Sequence, residues 1–166
     1  MRNLIVSLFI VLFITPIVAQ TDWDIYKKNN WGYEEKSGSV KQNGNTGYDI
    51  YQKNNWGYEE KTGSAKENYD GGYDFYNKND WGYEEKSGHS SETYNGYDIY
   101  KKNDWGYEEK SGSLKENNNG YDLYKKNDWG YEEKQGSYKR NSNGDIDVYQ
   151  KNKWGYEEKT GTIKKK

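Results

Sequence analysis

Apolar and polar positions alternate along this chain in a pattern that is written six times. Aligned on tryptophan, one unit reads Gly47-Tyr48-Asp49-Ile50-Tyr51-Gln52-Lys53-Asn54-Asn55-Trp56-Gly57-Tyr58-Glu59-Glu60-Lys61-Thr62-Gly63-Ser64-Ala65-Lys66. The octet Trp-Gly-Tyr-Glu-Glu-Lys-x-Gly begins at Trp31, Trp56, Trp81, Trp105, Trp129 and Trp154, at spacings of 25, 25, 24, 24 and 25 residues. A fixed period in this range marks a repeat architecture.

Each unit predicts two strands. In the first half, Tyr48 and Ile50 alternate with Asp49, the period of a strand with one buried face. The slot after the Asp is Ile25, Ile50, Phe75, Ile99, Leu123 or Val148, apolar in every copy. The Asn-rich pair before each Trp suits a tight turn, because Asn tolerates positive φ and bonds its own backbone. The second half, from Tyr58 to Lys66, is the return strand. Its variable slot is Val40, Ala65, Ser90, Leu114, Tyr138 or Ile163.

That slot lies an odd number of residues after the Tyr, so a flat strand would turn it away from the Tyr's face. A Gly stands between them in all six copies (Gly38, Gly63, Gly88, Gly112, Gly136, Gly161). A strand Gly often marks a bulge, and a bulge here would return the slot to the core. Ser90 puts a polar residue there, so the third unit is expected to be the weakest.

The connecting loops differ from unit to unit and are rich in Asn and Gly, the chemistry of turns. The whole is therefore all-β: six tandem hairpins of about 25 residues forming an antiparallel meander. Twelve strands in one open sheet would leave two exposed edges. The chain starts with a first-half strand and ends with a second-half strand, so pairing the ends would seal a ring or barrel. This closure is favoured over an open β-solenoid, which would need distinct capping units.

Lys153-Trp154-Gly155-Tyr156-Glu157-Glu158-Lys159-Thr160-Gly161 and its copies resemble the core of the bacterial WG-type (KWG) β-repeats, over about half of each unit. The longer apolar connecting segment of that family is replaced by the Asn/Gly loop. The alternation of Tyr-Asp strands with Gly turns is also similar, more weakly, to small secreted β-flower repeat proteins. Neither resemblance implies an activity.

Composition changes the picture at the N-terminus. Arg2 is followed by an apolar run from Leu4 to Ile14, then Pro16 and small residues, which reads as a secretory signal peptide over residues 1–19. The run is short for a membrane span. Residues 20–166 then form a single β-repeat domain, secreted to a periplasmic, cell-surface or extracellular location, with no membrane insertion expected once the signal is cleaved. It holds only nine Ile, Leu or Val, a poverty that normally means disorder. The 19 Tyr and 7 Trp of the chain oppose that, since each aromatic ring can bury roughly 150–250 Å².

Charge and chemistry exclude more than they select. Without Arg2 the chain carries 24 basic and 27 acidic residues, interleaved, so nucleic acid is not an expected partner. There is no cysteine, hence no disulfide, thiolate metal site or Cys nucleophile. The one histidine, His89, replaces a Ser of the other units and has no partner that breaks the repeat, so no catalytic residue is assigned. Glu59 and Glu60 point to opposite faces of a strand, which disfavours a metal site; pairing of Glu59 with Lys53 across the hairpin is expected instead. No cofactor is expected. The protein reads as a non-catalytic binding, surface-interaction or scaffold module. Its partner would be an unknown protein or a glycan at the cell surface. The candidate binding row is Tyr26, Tyr51, Tyr76, Tyr100, Tyr124 and Tyr149, which shares a face with the Asp. Trp31, Trp56, Trp81, Trp105, Trp129 and Trp154 are read as structural anchors in the core. Carbohydrate stacking on the Tyr row, or self-association through free strand edges, are the alternatives.

Overall fold

The computed structural model describes residues 22–166; the expected signal peptide lies outside the described residues. Twelve antiparallel strands follow one another as six hairpins. They are β1 (Trp23–Lys28) and β2 (Glu34–Asn43), β3 (Gly47–Lys53) and β4 (Glu59–Glu67), β5 (Tyr73–Lys78) and β6 (Glu84–Thr93), β7 (Gly96–Lys102) and β8 (Glu108–Asn117), β9 (Gly120–Lys126) and β10 (Glu132–Arg140), then β11 (Ile146–Lys151) and β12 (Glu157–Lys165). The described residues contain no helix.

The sheet closes into a barrel, with β12 paired to β1. Ile25 stands opposite Ile163 and Asp24 opposite Lys164, so the seam is an ordinary ladder. Closure pairs both edges that an open meander would expose, and the solenoid alternative falls. From unit to unit the register moves on by two residues: Tyr48 faces Ala65, and Ala65 faces Phe75 rather than Tyr73. The other junctions repeat this step, including Ile146 to Ile163 to Ile25 across the seam. The strands therefore run tilted, as closed barrels require, at roughly 35–45°.

The expected bulge is present in every hairpin. Ile25 pairs with Gly38 and the next residue, Tyr26, with Lys36, leaving Ser37 as the extra residue. The insertion resets the face, so Lys36 stays on the outside while Gly38 and Val40 turn inward. Glycine is required because a side chain on Gly38 would strike the Tyr51 carbonyl of the adjoining strand; Gly63, Gly88, Gly112, Gly136 and Gly161 meet the matching Tyr carbonyl.

The core is the barrel lumen, filled by the positions that the alternation marked. Val40, Ala65, Leu114, Tyr138 and Ile163 are buried together with Ile25, Ile50, Phe75, Ile99, Leu123 and Val148. Size is balanced across the lumen. Tyr138 on β10 lies six strands round the ring from Ala65 on β4, so the largest residue of the slot faces the smallest apolar one. Ser90 is fully buried but not unpartnered: its hydroxyl accepts the Tyr73 N–H at 3.0 Å. Towards the loop end the lumen is packed with aromatics, where Tyr48 and Tyr73, and Tyr97 and Tyr121, meet edge to face at 6.2 and 6.5 Å. These rings supply the apolar volume that aliphatics do not.

Around the outside runs a belt of ions that fixes one unit to the next. Lys36 bridges Asp24 of its own hairpin at 2.8 Å and Glu59 of the following one at 2.9 Å. The same link recurs through Lys61, Lys86, Lys110 and Lys134, and Lys159 closes the circle on Asp147 at 2.9 Å and Glu34 at 3.2 Å. Glu59 does oppose Lys53 in register, but its ion pair is with Lys36, because the unit-to-unit shift brings the neighbouring lysine closer. Burial alone would pull Lys36 down; its two carboxylates outweigh it and hold the ammonium above its ordinary range. The Thr162 hydroxyl, with Lys159 and Lys164 adding to it, keeps Glu34 below the usual carboxylate range against the opposing effect of desolvation.

Candidate functional site

The two strands of each unit are joined by one turn, repeated six times at the same end of the barrel. In the first, the Gly32 N–H donates to the Asn29 carbonyl at 3.0 Å and the Asn29 N–H to the Tyr33 carbonyl at 2.9 Å. The Asn29 side chain locks it: Oδ1 accepts the N–H groups of Trp31 and Tyr33 at 2.9 and 3.0 Å, and Nδ2 donates to Glu35 at 2.6 Å. Gly32 and its five counterparts sit at φ of 81–84°, the left-handed region open to glycine. This is the three-residue hairpin loop, a type I turn followed by a left-handed residue.

Trp31 occupies the apex of that turn, beyond the last ladder pair. It is 85% exposed, and the six turn tryptophans range from 73% to 86%. Tyr33 and its copies (Tyr58, Tyr83, Tyr107, Tyr131, Tyr156) are 72–73% exposed beside them. The reading of Trp31, Trp56, Trp81, Trp105, Trp129 and Trp154 as core anchors is therefore corrected. A side chain at a turn apex points away from the sheet, and among the described residues no second layer covers it. The one buried tryptophan is Trp23, which replaces a lumen Tyr in the first unit.

Twelve exposed rings thus crown one end of the molecule. Beneath the crown the inward positions of the outgoing strands are Lys27, Gln52, Asn77, Lys101, Lys125 and Gln150, each opposite a rim glutamate of the return strand, as Lys27 is opposite Glu35. Burial pushes the three lysines down, and at Lys101 the neighbouring Lys125 adds to it. The last residue of each outgoing strand is an exposed Lys: Lys28, Lys53, Lys78, Lys102, Lys126 and Lys151. These form a collar just behind the tryptophans.

The row proposed from the sequence lies elsewhere. Tyr26, Tyr51, Tyr76, Tyr124 and Tyr149 stand on the outer wall, half-buried, each covered by a lysine ammonium 4.3–5.0 Å from the ring centre. At Tyr100 the covering lysine is replaced by Ser91, and His89 stacks on the ring instead, 4.5 Å away and within 5° of parallel. His89 Nδ1 lies 3.1 Å from Glu108. The histidine thus fills the place of the missing lysine. Outward placement of the row agrees with the shared face of Tyr and Asp, but its ring faces are already in use.

The other end of the barrel supplies a control. Asn141-Ser142-Asn143-Gly144-Asp145 makes the same turn: Gly144 donates to the Asn141 carbonyl, Asn141 Oδ1 accepts the Asn143 and Asp145 N–H groups, and Gly144 has φ 82°. Asn68-Tyr69-Asp70-Gly71-Gly72 is similar, with Asp70 at the apex: the Asn68 N–H donates to the Gly72 carbonyl, and Asn68 Oδ1 accepts the Asp70 and Gly72 N–H groups. The turn needs Asn and Gly. It does not need Trp or Tyr.

Among the described residues no group of three or more His, Cys, Asp or Glu is placed to hold a metal ion. Comparison with known protein families, with curated proteins and with solved structures gave no match.

Proposed function

We propose that this is an exported, non-catalytic binding module whose working surface is the aromatic crown. One observation carries the reading: the chain builds the same turn at 141–145 without Trp or Tyr, and at 68–72 a similar one with Asp70 and Gly72 in their places, yet it sets both on all six crown turns. An exposed Trp is not favoured by folding and costs solubility, while Trp and Tyr dominate the hot spots of binding surfaces. Each ring offers on the order of 150–250 Å², so every tip presents an apolar face, six times around one rim. The likeness to WG-type repeats is part of this proposal and adds no activity to it.

The Tyr26–Tyr149 row is no longer the favoured contact, because lysines cover it. Carbohydrate stacking, the second reading, moves with the exposed rings to the crown. Self-association through strand edges loses its premise, since closure leaves no free edge. The test is retention of the protein on immobilised glycans and on intact cell surfaces. Trp56→Ser, Trp105→Ser and Trp154→Ser together should lower retention about tenfold or more, the scale of losing one hot spot. Tyr51→Phe, Tyr100→Phe and Tyr124→Phe together should leave it unchanged. Equal retention by the parent and the tryptophan variant would sink the reading.

A further inference from the structure

Six copies of one turn, set on one repeating register, place their apices at one level around the barrel axis. A flat, extended partner can meet all of them at once. Trp and Tyr rings favour the headgroup level of a bilayer, and lysines behind them reach phosphates. The collar Lys28, Lys53, Lys78, Lys102, Lys126 and Lys151 stands in that position at every tip.

The crown is not uniform in charge. The residue before each Trp is Lys153, Asn30 or Asn55 in three units, and Asp80, Asp104 or Asp128 in the other three. Because β12 pairs with β1, the sixth unit sits beside the first, so these are two contiguous halves, one neutral to cationic and one acidic. Rim glutamates such as Glu35 are common to all units and do not distinguish the halves. Lys101 and Lys125 lie below the acidic tips but face the lumen, whereas the aspartates stand at the apex. The outer wall carries the Asp–Lys–Glu belt where a membrane-spanning barrel would carry an apolar band.

From these features we propose that the crown docks end-on on an anionic lipid bilayer, with Trp154, Trp31 and Trp56 entering first. The inference rests on the crown being the working surface and adds what it works on. The probes are vesicles of phosphatidylcholine with and without phosphatidylglycerol, read by co-sedimentation and by the blue shift of tryptophan emission. Binding should be about tenfold or more tighter with phosphatidylglycerol and should weaken with salt. Trp154→Ser, Trp31→Ser and Trp56→Ser together should abolish most of it, while Trp81→Ser, Trp105→Ser and Trp129→Ser together should cost several-fold less. Circular dichroism of both variants checks that the barrel is kept. No binding to phosphatidylglycerol vesicles, or equal losses in the two variants, overturns the proposal. If vesicles are ignored but tryptophan variants still lose retention on glycans or cells, the lipid inference falls and the crown stands. If the variants match the parent in every assay, both fall.

Discussion

The two ends of the barrel solve one structural problem with different residues. At the crown end six turns share Asn, Trp, Gly and Tyr; at the other end the connections differ, and two of them build a five-residue turn on the same Asn and Gly with Asp70 and Gly72, or Asn143 and Asp145, in the places of Trp and Tyr. The apex residue is Trp at one end and Asp70 or Asn143 at the other, with the same pair of bonds to the Asn side chain. The comparison separates what the fold requires from what it only carries. Asn and Gly belong to the turn, and the aromatic rings belong to the surface.

Between the ends, stability should reside in the lumen. Tyr138→Ala empties the largest slot opposite Ala65, and about 3–5 kcal/mol of stability should be lost by denaturant titration, as for other buried aromatics. A much smaller loss would mean that the lumen is not the core. Next come the turns themselves. Gly130→Ala and Gly144→Ala put a Cβ into open space but at φ of 81° and 82°. Each should cost about 1–2 kcal/mol, with no systematic difference between the ends. A markedly larger cost at the crown would show that its aromatics hold the turn after all.

The belt should show in the pH dependence. Asp24, Glu34, Glu59, Glu132 and Glu157 are held below their ordinary range by their lysines or, first at Glu34, by the Thr162 hydroxyl, against the opposing effect of burial. Their contribution is therefore present above the unfolded carboxylate values near 4 and is lost as pH falls through the depressed ones. The belt lysines, Lys36 and Lys159 among them, are raised, so their contribution is full below about pH 10 and is lost only above it. The urea midpoint should stay flat between those limits and fall outside both. Lys159→Met, which cuts the belt at the seam, should cost about 1 kcal/mol or less at neutral pH and reduce the acid slope. The smallest effect belongs to the crown: Trp129→Ser should change stability by about 0.5 kcal/mol or less, as for an exposed position.

Much of this architecture was legible in the chain. The period gave six units, alternation marked the lumen slots, and the glycine between Tyr58 and Ala65 announced the bulge. Closure followed from the edge problem and from the two complementary terminal strands. The belt was not legible, because Lys36 reaches Glu59 only after the two-residue shift between units, which no single repeat reveals. The tryptophans were misplaced because size and hydrophobicity suggested burial. The corrective signal was present: Asn-x-Trp-Gly sets Trp at a turn apex, and 141–145 spells the same turn with Asn there. The Tyr row was placed on the correct face, but the lysines that cover it come from the adjoining strand and could not be foreseen from its own.

The central claim is that the crown aromatics are surplus to the fold. It is tested most directly by the thermal unfolding midpoint of a chain in which all six crown turns carry the Ser142-Asn143-Gly144-Asp145 sequence after their Asn. A barrel whose midpoint stays within several degrees of the parent is predicted, since about 1 kcal/mol moves a chain of this size by roughly 2–4 °C. A chain that fails to fold, or melts tens of degrees lower, would contradict it.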